Sequence, residues 1–272
     1  MRLGGSRALV TGASSGIGRA IALALSAAGC ETLLTGRDGE RLAEVAAETG
    51  GRTVLADLSE RNGLSRVIEA ATSFPVPDLL IHAAGIGRFA RVAERADAAL
   101  DADAADDGAD DGGAGDNSAI DDDGALLAIN YLAPVRLTRA LLPAMLSRGS
   151  GRLVFVGSIA GLLGVAGESE YAASKAALGT FAASLQAELS GTGVGVTTLI
   201  PGVVDTPFFE RRGVAYGRRF PRPVPADRVA TALLGALERE HAQVVVPGWL
   251  RVPIALQACS PQVYARLAGR WG

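Results

Sequence analysis

Along the chain, short runs of leucine and β-branched residues alternate with alanine-rich stretches whose apolar positions recur at helical spacing. That alternation predicts repeated strand–helix units. Strands are expected over residues 7–11, 31–35, 52–56, 78–82, 152–157, 194–199 and 243–246, and helices over 17–28, 39–49, 60–72, 126–147, 171–190 and 226–240. A sheet open to water on one face would alternate apolar and polar residues. Most of these strands are apolar on both faces, so helices are expected to cover a parallel sheet from both sides. The fold class is α/β: a doubly wound parallel sheet of about seven strands.

The 272 residues are 49% hydrophobic and 20% charged, enough to bury one sizeable core and incompatible with general disorder. A single domain over 1–272 is expected. Aromatic residues make up 5% of the chain against 35 glycines, which suits helices packed closely on a sheet better than an aromatic-rich binding surface. The two cysteines, Cys30 and Cys259, are too few for a disulfide framework. With neither a charged-then-apolar leader nor an unbroken apolar run of about 18 residues, no membrane span is expected and the cytoplasm is the default location.

Charge is unevenly spread. Residues 97–123 hold 11 aspartates and no Lys or Arg, so the formal net charge of −3 becomes +8 over the rest of the chain, a balance suited to anionic ligands. Nucleic acid is not indicated, because the arginines are scattered and not interleaved with aromatics. The acidic stretch interrupts the strand–helix alternation and reads as an inserted mobile loop, since like charges repel and few apolar residues offset its ordering. Calcium binding is the sharper alternative. Asp101 and Asp103 begin an EF-hand spacing, but Ala105 breaks it.

The first expected strand runs into Thr11-Gly-Ala-Ser-Ser-Gly-Ile-Gly18, which opens a helix. Gly12 permits a tight turn, Gly16 lets the backbone approach a diphosphate, and Gly18 lets helix and strand pack closely, with Ser14, Ser15 and Ile17 between them. Unpaired amides at the helix start then face the anion. Farther on, Tyr171 and Lys175 are one helical turn apart and project from one face. An ammonium beside a phenol favours phenolate, which would bring a group with an ordinary pKa of about 10 towards acid–base work. Ser158, at the end of the fifth expected strand, is placed to donate a hydrogen bond to a substrate oxygen.

These residues, with Asp57, His82-Ala-Ala-Gly85, Asn130, Tyr171-Ala-Ala-Ser-Lys175 and Pro201-Gly202-Val-Val-Asp-Thr206, resemble the short-chain dehydrogenase/reductase family, of TGxxxGxG and YxxxK type. The matches run in order over most of 7–206. The resemblance implies a Rossmann-like fold, commonly a homodimer or homotetramer, that moves a hydride between a nicotinamide cofactor and a carbonyl or secondary alcohol substrate. It implies a catalytic group of Asn130, Ser158, Tyr171 and Lys175, in which Asn130 supports a water-linked proton path to the lysine. It further implies that Asp57 and Leu58 meet adenine, that Ala84 and Gly85 border the cofactor, and that Pro201, Gly202, Val204 and Thr206 lie beside the nicotinamide. His82 stands where Asn is more usual in the family, and is expected to be structural.

The end of the second strand bears on the choice of cofactor, because a carboxylate there binds the ribose of NAD(H) and repels the extra phosphate of NADP(H). Here it reads Thr35-Gly36-Arg37. Gly36 offers no acid and Arg37 suits a 2′-phosphate, so NADP(H) is expected over NAD(H), with Asp38 facing outward or capping the next helix. Residues 206–225 match the family's variable lid. Phe208, Phe209, Tyr216 and Phe220 suit an apolar pocket, and Arg211, Arg212, Arg218 and Arg219 suit a carboxylate or phosphate on the substrate. Residues 247–272 form a C-terminal extension, apolar enough to pack on the body or on another subunit. Two other readings share this scaffold: a non-redox epimerase that returns the hydride, and a nucleotide-sensing regulatory protein.

Overall fold

The computed structural model describes residues 1–73, 75–93 and 124–268. The acidic stretch 97–123 lies outside the described residues. The strands are β1 (Arg7–Thr11), β2 (Glu31–Gly36), β3 (Arg52–Leu55), β4 (Leu79–His82), β5 (Gly151–Val156), β6 (Val194–Pro201), the two-residue β7 (Val204–Asp205) and β8 (Val224–Pro225), and β9 (Gln243–Val246). Seven of them form one parallel sheet in the order β3-β2-β1-β4-β5-β6-β9, while β7 and β8 pair separately. All seven strands expected from the hydrophobic pattern are present.

The helices are α1 (Gly16–Ala27), α2 (Gly39–Thr49), α3 (Arg61–Ser73), α4 (Ala133–Arg148), α5 (Ala160–Leu163), α6 (Ser169–Glu188), α7 (Phe208–Arg211), α8 (Ala226–Glu238), α9 (Arg251–Cys259) and α10 (Pro261–Ala268). Adjacent residues of the central strands enter opposite cores, which is why the strands are apolar on both faces. Val10, Leu34, Ile81 and Val154 pack with Ile21 and Leu25 of α1 and Val229 and Leu233 of α8. Leu9, Leu33, Leu80 and Phe155 pack with Val67 of α3, Leu137 and Leu141 of α4, and Leu178 of α6. Each fully buried Leu or Phe contributes about 1.5–3 kcal/mol.

Helix α4 continues a helix that starts at Gly124, and between them Ala128–Leu132 forms a π-turn in which Ala133 N–H donates to Ala128 O. The 25 residues from Gly124 to Arg148 are apolar enough to cross a membrane by composition, but half of their most apolar stretch is buried within the fold. In the C-terminal extension, Leu250 packs beneath Ile200 and Val245, and α9 lies against α5. Cys30 is buried and Cys259 exposed, both as free thiols.

Candidate active site

The sheet order reverses between β1 and β4, whose carboxyl ends therefore part to leave a crevice. A cleft of about 1740 Å³ opens there and extends under the lid to the C-terminal helices. Its floor is main chain. Thr11 Oγ1 accepts from Ala83 N at 3.0 Å and Ala84 N at 3.1 Å, locking the end of β1 to the segment after β4. Gly12, at φ 67°, passes so close to that segment that a Cβ would lie 2.7 Å from Ala84 Cα. At Gly85, a Cβ would lie 3.2 Å from both Lys175 Nζ and Asn130 Oδ1. A dinucleotide fits such a cradle, because side chains are missing where its backbone must approach.

Every residue expected to contact the cofactor lines this cleft: Gly12 and Ser14 to Gly18 at the glycine loop, Arg37, Asp57 and Leu58 at one end, Ala84 and Gly85 on the floor, and Tyr171, Lys175, Pro201, Gly202, Val204 and Thr206 at the other end. At the β2 end, Arg37 Nη1 lies 3.7 Å from Asp57 Oδ2. Burial works to raise the Asp57 carboxyl, but hydrogen bonds from Ser59 and the charge of Arg37 outweigh it and hold the group below the usual carboxylate range. Asp38 accepts from Arg41 N at 3.1 Å and so caps α2, as expected. Arg41 also lines the cleft, a second guanidinium near the ribose end that the motif did not point out.

On the facing wall stand Ser158, just beyond β5, and Tyr171 and Lys175 on the first turns of α6. Tyr171 and Lys175 are buried. Lys175 Nζ donates to Val156 O at 3.0 Å and sits 5.9 Å from the centre of the Tyr171 ring. Burial, without a carboxylate partner among the described residues, pushes the Lys175 ammonium down to about 8. The sequence led us to expect a phenol lowered by this lysine. The structure differs: burial pushes Tyr171 up to about 12, and only a hydrogen bond with Ser158 pulls the other way. Ser158 Oγ accepts from Ala160 N at 3.1 Å, which leaves its own proton to donate.

Asn130 does not line the cleft. It is fully buried behind the wall, on the π-turn, where Oδ1 accepts from Ile86 N and Nδ2 donates to Ile86 O and Ser174 Oγ, each at 2.9 Å. It therefore fixes the segment after Gly85 against α6. His82 is also buried, bonded to Thr138 Oγ1 at 2.9 Å and stacked on Phe155, and burial pushes it down to about 3. It is a neutral structural residue. His241 is exposed.

The lid closes the far side with rings. Phe208 lies 5.3 Å from the Tyr171 ring, Phe209 lies 5.5 Å from Phe208, and Tyr216 lies 5.2 Å from Phe209, measured between centroids. Phe220 stacks on Trp249 of the C-terminal extension. Trp249, Leu250, Leu256 and Tyr264 line the same cleft. Their apolar character was evident in the sequence, but not that they would wall the site.

The short chain dehydrogenase profile matches residues 6–215. A ketoacyl reductase of Nostoc sp. is 32% identical over 258 residues, covering 90% of this chain and 79% of the relative. A short chain dehydrogenase from Burkholderia cenocepacia, solved in complex with NADP, superposes with a TM-score of 0.77 at 26% identity, covering 98% of this chain and 99% of that one. Another from Burkholderia phymatum, in complex with NAD, gives 0.78 at 22% identity over 97% and 96% of the two chains, a likeness of fold alone. With the profile spanning most of the chain and the glycine loop, Ser158, Tyr171 and Lys175 gathered on one cleft, the protein belongs to the short-chain dehydrogenase/reductase family of oxidoreductases.

Proposed function

We propose that the protein is an NADP(H)-dependent oxidoreductase that interconverts a carbonyl and the corresponding secondary alcohol, with Tyr171 exchanging the proton. The observation that carries this reading is a buried, neutral phenol beside Ser158 and Lys175 on the wall facing the glycine loop. A neutral phenol is a proton donor, so the resting protonation state suits reduction: as the carbonyl oxygen gains negative charge, Tyr171 Oη gives it a proton. Ser158, hydrogen-bonded to Tyr171 and accepting from Ala160 N, is placed to turn its hydroxyl proton to the same oxygen. Lys175 spends one N–H on Val156 O and keeps two for other partners. When bound, the nicotinamide supplies or accepts the hydride. The glycine loop would seat its diphosphate, Asp57 and Leu58 the adenine, and Val204 and Thr206 the carboxamide. Gly36 and Arg37 favour the 2′-phosphate form, since Asp38 is engaged in capping α2.

Tyr171→Phe tests the assignment. We expect reduction to slow by about 100- to 10,000-fold while NADPH affinity is kept, because only a hydroxyl is lost. An unchanged rate overturns it. The pH profile adds a sign: with the phenol pushed up to about 12, reduction keeps its proton donor as pH rises through neutrality. Alcohol oxidation needs phenolate and should accelerate with rising pH over the same range.

A further inference from the structure

Arg211 and Arg212 are adjacent in the lid but face opposite banks of the cleft. Arg212 is buried, ion-paired with Glu168, and stacked on Phe209 and Phe89 with its guanidinium carbon 4.6 and 5.1 Å from the ring centres. Arg211 instead crosses to the glycine loop, where its Nη1 donates to Ser15 Oγ at 3.1 Å. Among the described residues it has no carboxylate partner. Ser15 stands at the N-cap position of the 12-residue helix α1, where a serine oxygen ordinarily accepts from the first turn, yet it makes no such bond, and that turn carries no acidic residue. An exposed guanidinium and an uncapped helix start thus converge on one spot, with no anionic side chain among the described residues to satisfy either.

We infer that Arg211 is a diphosphate-binding residue carried by the lid, which exchanges Ser15 Oγ for a diphosphate oxygen when the cofactor binds. This rests on reading the glycine loop as the cofactor's seat. The contact has a second effect, because Arg211 ends the same four-residue helix α7 that begins with Phe208, the ring beside Tyr171. Cofactor charge on Arg211 therefore also bears on the position of the aromatic wall of the substrate site.

The test is fluorescence titration of NADPH and of NADH against the wild-type protein, Arg211→Gln, Arg211→Lys and Arg222→Gln. Arg222 is exposed and lies outside the cleft lining. The diphosphate is common to both nucleotides. Arg211→Gln is therefore expected to weaken both by the same factor, about 10- to 100-fold, Arg211→Lys to recover part of the loss, and Arg222→Gln to bind as the wild type does. Unchanged affinity in Arg211→Gln overturns the inference while leaving the cofactor reading intact. A loss confined to NADPH also overturns it, by placing Arg211 on the 2′-phosphate. Failure of the wild type to bind either nucleotide overturns both.

Discussion

The bank of the cleft around the glycine loop meets its ligand with main chain, held by Thr11 and by the absence of a side chain at Gly12 and Gly85. The lid bank is built from side chains: a run of rings from Tyr171 through Phe208 and Phe209 to Tyr216, pinned by the buried Arg212–Glu168 pair. A main-chain cradle recognises what all nicotinamide dinucleotides share, and tolerates little change, because a Cβ at Gly12 meets the Ala84 backbone and one at Gly85 crowds the buried Lys175 and Asn130 side chains. Rings are replaceable one at a time, and the ion pair only as a pair. The first bank therefore constrains the dinucleotide, and the second offers the side chains that can vary with the substrate.

That contrast is open to direct attack. The largest effect is expected from Glu168→Leu, which strands the Arg212 guanidinium in a buried site and should cost about 3–5 kcal/mol of stability. The pair replacement Glu168→Leu with Arg212→Met removes both charges and should recover most of the loss in denaturant unfolding, since the surroundings are apolar rings. If the double variant is no better than the single one, the pair is more than an internal neutralisation. Gly12→Ala comes next: strain at positive φ and the collision with Ala84 should together cost about 2–5 kcal/mol. Unlike Glu168→Leu, it should also remove cofactor binding, measurable by the lost thermal shift with NADPH. The smallest effect is at the rim, where Arg37→Asp should weaken NADPH by about 1.5–3 kcal/mol and NADH much less. An equal loss for both would assign Arg37 to adenine or to the fold.

What could be read without coordinates was whatever is encoded locally. The sheet strands are continuous apolar runs, the glycine loop is contiguous, and Tyr171 and Lys175 lie one turn apart, so their shared wall followed from spacing alone. The proton affinity of Tyr171 did not follow. Spacing gives the neighbouring ammonium but not the burial, and in this structure burial wins. The four lid arginines looked equivalent in sequence because their partners are remote. Glu168 and Ser15, which separate Arg212 from Arg211, are brought in only by the fold. Likewise, Asn130 was expected within a regular helix at the site, whereas its bonds to Ile86 and Ser174 hold it behind the wall on a π-turn.

That π-turn makes residue number itself a coordinate of the site. A helix advances about 100° per residue, so the extra residue closed by Ala133 N–H on Ala128 O shifts the phase of everything before it relative to α4. Downstream, Leu137, Leu141 and Met145 must face the sheet core, and upstream Asn130 must face Ile86. A perfectly periodic helix of the same length would rotate one of these sets away from its partners. Substitutions within 128–132 can therefore be absorbed by side-chain size and polarity, but gain or loss of a single residue there sets the packing of α4 against the placement of Asn130. The segment behaves as a vernier between the core and the wall that carries Tyr171, and its length is more tightly constrained than its composition.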